Sequence, residues 1–163
     1  MESRISYINA APGARDALMH VSQYVHRSGL EESLLGLVFL RASQINGCAF
    51  CIDMHWKDLR AIGQSEETLY MLDAWRESPC YTERERAALA WTEAVTLVTE
   101  GHVPDEAYAA ARKQFSDAEL VNLTLAIAVI NSWNRMSIAF RVPAGHYRAP
   151  ARVRETAEPV AQP

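Results

Sequence analysis

The sequence predicts an all-α fold, a compact helical bundle within a single domain. Two capping boxes support this, Thr82 with Glu85 and Ser116 with Glu119, because this pattern starts helices. Apolar residues recur at helical spacing, and no segment shows the sustained apolar and polar alternation of a strand. The chain has 163 residues, of which 49% are hydrophobic, so it can build one ordinary core.

Glycines mark where the predicted helices of the first half end. Gly29, Gly47 and Gly63 each follow a stretch of helical periodicity, and glycine is the common residue just past a helix C-terminus. Ser65 can cap the helix that comes next. We therefore predict helices over 14–28, 31–46, 48–62 and 65–75.

Caps and a proline divide the second half. Thr82 and Ser116 start two long helices, and Pro104 suits the first turn of a shorter one. Beyond Pro143 the chain is polar and rich in proline and alanine. The predicted helices are 82–100, 104–114 and 116–140, within one helical domain over 1–142 that is followed by a C-terminal tail over 143–163.

Charge and hydropathy exclude several classes of partner. The net charge is −4 with acids and bases mixed, so no basic stripe indicates nucleic-acid binding. The longest apolar run, 120–130, contains polar residues and is too short to span a bilayer. The N-terminus lacks the pattern of a secretory signal. We expect a cytoplasmic protein with neither nucleic-acid nor membrane partners, in which three cysteines do not form a structural disulfide framework.

The most informative stretch is Cys48-Ala49-Phe50-Cys51-Ile52-Asp53-Met54-His55. Residues three apart share a helix face at about 5 to 6 Å, which suits a disulfide that opens and closes with little backbone movement. The helix start favours thiolate over thiol through its unpaired N–H groups and positive dipole end. His55 lies one turn beyond Cys51 and can exchange a proton with it. Asp53 falls away from this face and is expected to be solvated.

The cysteines also have two interpretations that involve no redox chemistry. A helical cysteine is often only a small buried hydrophobe. Structural zinc requires four ligands, usually two pairs, and here Cys80 is single and His102 lies far along the chain. We therefore predict no metal and no cofactor. We regard Cys80 as an incidental thiol in an interhelical loop.

The chain resembles the AhpD-like alkylhydroperoxidase family of the carboxymuconolactone decarboxylase superfamily. The resemblance rests on LRASQINGCAFCIDMH at 40–55 and on residues 75–79, 82–92 and 130–135. It implies an all-α bundle of the AhpD-like type that assembles into homo-oligomers, trimers or hexamers. It also implies a dithiol that reduces a small hydroperoxide and is recharged by a disulfide-exchange reductant, a protein or a dithiol.

The resemblance also implies roles for the site residues. Cys51 would attack the peroxide, Cys48 would resolve the product and exchange with the reductant, and His55 would belong to the proton relay. The helix dipole alone favours Cys48 as the more reactive thiol. The position of His55 favours Cys51, and we follow it because a specific base outweighs a diffuse dipole.

One position departs from the family pattern. The family's relay glutamate lies twelve residues before the first cysteine, which here is Gly36. Glu31 or Glu32 could replace it if the helix shifts. We expect Gly36→Glu to raise turnover, because it restores the relay carboxylate of the family. We also expect it to be slightly stabilising, because glycine costs about 1 kcal/mol in a helix. The departure keeps a second hypothesis open, a non-peroxidase relative of the lactone decarboxylase or isomerase type, or a redox-sensing oligomer.

The last predicted helix favours assembly. Residues 120–140 are apolar nearly all round, so one small bundle would leave part of the helix uncovered. Asn131, Asn134 and Arg135 interrupt that apolar surface. We expect them to form hydrogen bonds across helices or at a subunit interface.

Overall fold

The computed structural model describes residues 2–150, which form eight α-helices and no strand. The all-α prediction is therefore confirmed. The helices are α1 (Tyr7–Ala10), α2 (Pro12–His26), α3 (Glu32–Asn46), α4 (Ala49–Ala61), α5 (Glu66–Tyr70), α6 (Glu83–Thr96), α7 (Asp105–Arg112) and α8 (Asp117–Phe140).

Helix boundaries differ from the prediction mainly where local signals are weak. The short α1 was not predicted, and the predicted helix over 65–75 is α5 followed by a 3₁₀ turn over Leu72–Ala74. The predicted helix over 82–100 ends at Thr96 and continues as a second 3₁₀ turn. Both predicted capping boxes are present, and they fix the starts of α6 and α8.

Helix α3 lies at the centre of the bundle and packs against α4, α6 and α8. One face contributes Val38 to a core with Ala88 and Ile127. The other face contributes Leu37 to a second core that includes Leu59 of α4. Burial on both faces explains why α3 carries apolar residues nearly all round, and it fixes α4 against the rigid centre of the fold.

Polar residues tie α8 to α3 inside the bundle. Asn46 donates to the side-chain oxygens of both Asn131 and Asn134, each at 2.9 Å, and Asn134 donates to Ser43 at 3.0 Å. The asparagines thus form the cross-helix hydrogen bonds that we expected. Arg135 is exposed and donates to Asn131 within its own helix. These bonds hold the end of α3 in register just before α4 begins.

The segment over residues 143–150, which we call the C-terminal strap, crosses α4 and is held by three hydrogen bonds. The backbone N–H of Gly145 donates to Asp53 at 3.1 Å, and Lys57 donates to the carbonyl of Tyr147 at 3.1 Å. The Tyr147 hydroxyl donates to Asp58 at 2.6 Å. The side chain of Asp53 remains 22% exposed and pairs with Lys57, so it is partly solvated and not free of protein contacts. The rest of the predicted tail, 151–163, lies outside the described residues.

Apolar surface remains on α8, where Val121 is 67% exposed and Ile138 is 45% exposed. None of the helices within residues 2–150 combines the length and the apolarity that a bilayer crossing requires.

Candidate active site

The turn between α3 and α4 places both cysteines at a helix start. Gly47 adopts a left-handed conformation with φ +67°, which ends α3 and brings the chain directly into α4. Cys48 is the N-cap of α4, and its sulfur accepts a hydrogen bond from the backbone N–H of Cys51 at 3.4 Å. The two Cα atoms are 5.3 Å apart and the sulfurs are joined as a disulfide. The predicted disulfide between Cys48 and Cys51 at the start of a helix is therefore present in the structure.

An apolar cavity of about 360 Å³, which we call the thiol cavity, reaches Cys51. Its lining includes Met54 and His55 from α4, Met19 from α2 and Trp133 from α8. Cys48 is not among the lining residues, although both cysteines are only 1% exposed. A molecule in this cavity would therefore meet Cys51 rather than Cys48.

His55 is held as a neutral imidazole. Its ring centroid is 5.2 Å from that of Phe39, and its Nε2 is buried with no hydrogen-bond partner among residues 2–150. Burial, assisted by the nearby charge of His26, lowers the pKa of His55 to about 3. A neutral imidazole near neutral pH can accept a proton from a thiol, which a protonated one cannot.

A second cavity of about 340 Å³, the carboxyl cavity, also borders His55. It shares His26, Phe39, Met54 and His55 with the thiol cavity. Its remaining lining includes two carboxylic residues, Glu32 and Asp58, together with Gly36 and Tyr147. The same histidine therefore borders a space that contains Cys51 and a space that contains carboxyl groups.

Burial raises the pKa of Asp58, and the nearby negative charge of Glu32 raises it further. The hydrogen bond from Tyr147 opposes this shift. Burial also raises the pKa of Tyr147, and its bond to Asp58 adds to that effect. Tyr147 therefore stays protonated and continues to donate to Asp58.

Gly36 is required by the close packing of α3 on α4. A Cβ atom at this position would lie 2.5 Å from Cδ2 and 2.9 Å from Cγ of Leu59, which is only 1% exposed. The expectation that Gly36→Glu would be stabilising was therefore wrong, because the overlap with a fixed core side chain outweighs the gain in helix propensity.

Of the two glutamates considered as replacements, one is placed elsewhere. Glu31 forms an ion pair with Arg84 at 2.8 Å, and Arg84 also holds Glu119 at 2.7 Å. Glu31 was therefore the wrong candidate. Glu32 does line the carboxyl cavity.

Sequence reasoning missed Asp58 and Tyr147 as neighbours of His55. Asp58 lies three residues after His55, so helical spacing could have indicated it. No local signal pointed to Tyr147, because its position depends on the strap returning to α4.

The other predicted ligand candidates lie apart from this site. Cys80 is a free, half-buried thiol that packs against the second core. His102 is exposed in the turn before α7. Within residues 2–150, no three His, Cys, Asp or Glu side chains are grouped as a metal would require.

Comparison with known proteins identifies the family. The sequence pattern of the carboxymuconolactone decarboxylase family matches residues 12–94, from the start of α2 into the last turn of α6. The chain belongs to this family. The matched region contains α3, the CxxC turn and the whole of α4, so the family assignment covers both cysteines and His55.

Relatives within the family extend the match to most of the chain. A Bacillus subtilis protein, YdfG, is 42% identical over 139 residues, which is 85% of this chain and 95% of the relative. A solved structure from Agrobacterium tumefaciens is 49% identical with a TM-score of 0.86, and it covers 88% of this chain and 99% of its own. That protein is of unknown function, and its name relates it to the antioxidant defence protein AhpD.

A more distant structure shows the fold alone. The peroxidase-related protein of Ralstonia eutropha, which contains an alkylhydroperoxidase AhpD core, is 17% identical with a TM-score of 0.75. It covers 85% of this chain and 74% of its own. The protein described here is thus an AhpD-like member of the carboxymuconolactone decarboxylase family, with the AhpD-like helical bundle.

Proposed function

We propose that this family member is a thiol-dependent hydroperoxide reductase with Cys51 as its attacking thiol, Cys48 as its resolving thiol and His55 as its base. One observation carries the proposal. Cys51, paired with a second cysteine at a helix start, and a neutral His55 with a buried Nε2 line the same apolar cavity. The AhpD-like fold, shared with a 49% identical relative whose name relates it to antioxidant defence, supports the same chemistry.

The proposed reaction has two thiol steps. The proton of the Cys51 thiol passes to His55, and the thiolate attacks the outer oxygen of the hydroperoxide. The O–O bond breaks, Cys51 becomes a sulfenic acid, and the alkoxide takes the proton back from His55 to leave as an alcohol. The Cys48 thiol then attacks the sulfenic acid, which forms the disulfide and releases water.

A second dithiol must return the protein to its reduced state. One thiolate of that reductant attacks the Cys48–Cys51 disulfide, and its second thiol completes the exchange. Cys48 is buried, yet both of its chain neighbours, Gly47 and Ala49, are exposed, so its sulfur lies just below the surface. Such recharging suits the cytoplasm, where thiols are kept reduced, and we propose that the protein acts there.

We also propose that the chain assembles into a homo-oligomer, a trimer or a hexamer. The exposed Val121 and Ile138 of α8 support this, because they leave apolar side chains of the longest helix uncovered by the bundle. Light scattering should detect a particle several times the 18.2 kDa of one chain. A single-chain particle at micromolar concentration would contradict the assembly.

The function is tested with purified protein, an excess of a chemical dithiol and an organic hydroperoxide. Wild type should consume the hydroperoxide, and Cys51→Ser should reduce the rate to that of dithiol alone. Cys48→Ser should stop turnover and leave one sulfenic acid on Cys51, detected by mass spectrometry after trapping. His55→Asn should slow the reaction about 100- to 10,000-fold, the usual contribution of acid–base assistance.

Cys80→Ser serves as the matched control, because it removes a thiol outside the thiol cavity and should leave the rate unchanged. Wild-type consumption no faster than dithiol alone would refute the proposal. Oxidation of Cys51 without turnover would indicate a redox sensor instead.

A further inference from the structure

The carboxyl cavity contains a charge arrangement that the thiol chemistry alone does not use. Asp58 is half-buried, faces this cavity and is held in place by the Tyr147 hydroxyl at 2.6 Å. His55 borders the same cavity and has a buried Nε2 without a partner among residues 2–150. Because the two residues are three apart on α4, their Cβ atoms are about 5 to 6 Å apart.

We propose that Asp58, fixed by Tyr147, is a positioning residue that stabilises the protonated form of His55 while Cys51 is a thiolate. The inference rests on the proposed function only in taking Cys51 as the thiol that reacts. In this step the proton moves from the Cys51 thiol to His55. The negative charge of the Asp58 carboxylate then balances the positive charge of the imidazolium. The pair then relaxes when the proton returns to the leaving alkoxide.

Burial pushes each group towards its neutral form, lowering the pKa of His55 and raising that of Asp58. The charge of His26 acts on both groups and lowers the pKa of His55 and that of Asp58. A charged form of either group is costly alone, whereas opposite charges beside one cavity stabilise each other. Proton transfer to His55 creates the positive charge that a buried carboxylate requires.

The other ionisable groups near His55 are less suited to this task. His26 of α2 lines both cavities, but its positive form opposes a second positive charge. Arg15 of α2 lines only the thiol cavity and is also cationic. Glu32 of α3 has the required sign but is an exposed residue, and the hydrogen bond from Tyr147 is made to Asp58.

The same helix supplies a matched control. Asp53 and Asp58 both lie on α4 and both hold the C-terminal strap, Asp53 through the backbone of Gly145 and Asp58 through Tyr147. Of these two carboxylates, only Asp58 lines a cavity with His55. A comparison of Asp53→Asn with Asp58→Asn therefore separates loosening of the strap from loss of the charge beside His55.

The experiment measures the alkylation rate of reduced Cys51 against pH in full-length Cys48→Ser/Cys80→Ser protein. In this background Asp58→Asn should raise the apparent pKa of Cys51 by about one unit, which lowers the rate at neutral pH about tenfold. Tyr147→Phe should shift the profile in the same direction by less, and Asp58→Glu should restore part of the rate. Asp53→Asn should leave the profile within about twofold of the parent, a range that would follow from a small structural change alone.

An unchanged profile in both Asp58→Asn and Tyr147→Phe overturns the inference, as does an equal shift in Asp53→Asn. A shift in Glu32→Gln without one in Asp58→Asn also overturns it and assigns the role to Glu32. If Asp58→Asn does not fold, the Tyr147→Phe profile decides. Because alkylation needs no peroxide, the inference can fail while peroxide reduction stands, or hold while peroxide reduction fails.

Discussion

The two cavities that meet at His55 have opposite chemical characters. The thiol cavity presents aromatic, methionine and branched aliphatic side chains together with the sulfur of Cys51. The carboxyl cavity presents Glu32, Asp58 and the Tyr147 hydroxyl. An apolar space can desolvate an organic substrate, whereas a space with carboxyl groups can compensate the charge that proton transfer creates. The difference means that one histidine borders two spaces that suit different tasks.

The lowered pKa of His55, which borders both cavities, should make the stability of the fold depend on pH. The unfolded chain binds a proton at His55 near pH 6.5, but the folded chain does so only near pH 3. Acidification through this window therefore favours the unfolded state, and the contribution of His55 is retained only above it. Between pH 7 and pH 5 the free energy of unfolding should fall by about 2 kcal/mol from this one group.

The measurement is urea unfolding of wild type and His55→Asn at pH 7, 6 and 5. The other four histidines are common to both proteins, so the difference between the two isolates His55. A difference that stays constant over this range would show that His55 titrates normally in the folded protein, which would remove the basis for comparing the cavities around a neutral imidazole.

Adding a methyl group at position 36, in the wall of the carboxyl cavity, should destabilise the fold. Gly36→Ala places its methyl group against Leu59 and should lower the free energy of unfolding by about 1 to 2 kcal/mol. Gly13→Ala is the matched control, because Gly13 also lies in a helix and a Cβ there meets nothing within 4 Å. That change should be neutral or stabilising by about 0.4 to 1 kcal/mol. Equal effects in thermal or urea unfolding would contradict the packing role of Gly36.

Filling each cavity should distinguish their roles in turnover. Met19→Trp narrows the thiol cavity and should lower kcat/KM for a bulky organic hydroperoxide about tenfold more than for hydrogen peroxide. Ala61→Trp narrows the carboxyl cavity and should leave the ratio of the two substrates unchanged. If Ala61→Trp changes that ratio as much as Met19→Trp does, the substrate is not confined to the thiol cavity.

Local sequence signals predicted the helices and the dithiol because they act over one or two turns. A cap at Ser116, a glycine at Gly47 and two cysteines three residues apart are each interpreted from neighbouring residues. The resemblance at 40–55 indicated the family, which the match over residues 12–94 confirms. The roles assigned to Cys48, Cys51 and His55 remain predictions until the thiol chemistry is measured.

Contacts between residues that lie far apart in the chain could not be predicted from the sequence. From the sequence, Gly36 indicated only that the relay carboxylate of the family is missing. In the fold, Gly36 packs closely against Leu59, which lies 23 positions later in the chain. The sequence allowed Glu31 to replace the relay carboxylate, but in the fold Glu31 forms an ion pair with Arg84. Which residue of a helix faces which neighbour depends on how helices pack, and apolar periodicity around the whole of α3 does not specify that choice.

By itself the sequence determined that the chain is helical, where the long helices begin, and that two thiols and a histidine share one face at a helix start. Those features depend on backbone geometry and hydrogen bonds within a few residues. Only the tertiary structure decided that His55 is neutral with a buried Nε2, that Cys51 rather than Cys48 lines the apolar cavity, and that Asp58 and Tyr147 line a second cavity with the same histidine. Burial and proximity across segments arise from packing of the whole bundle, which no short stretch of sequence specifies.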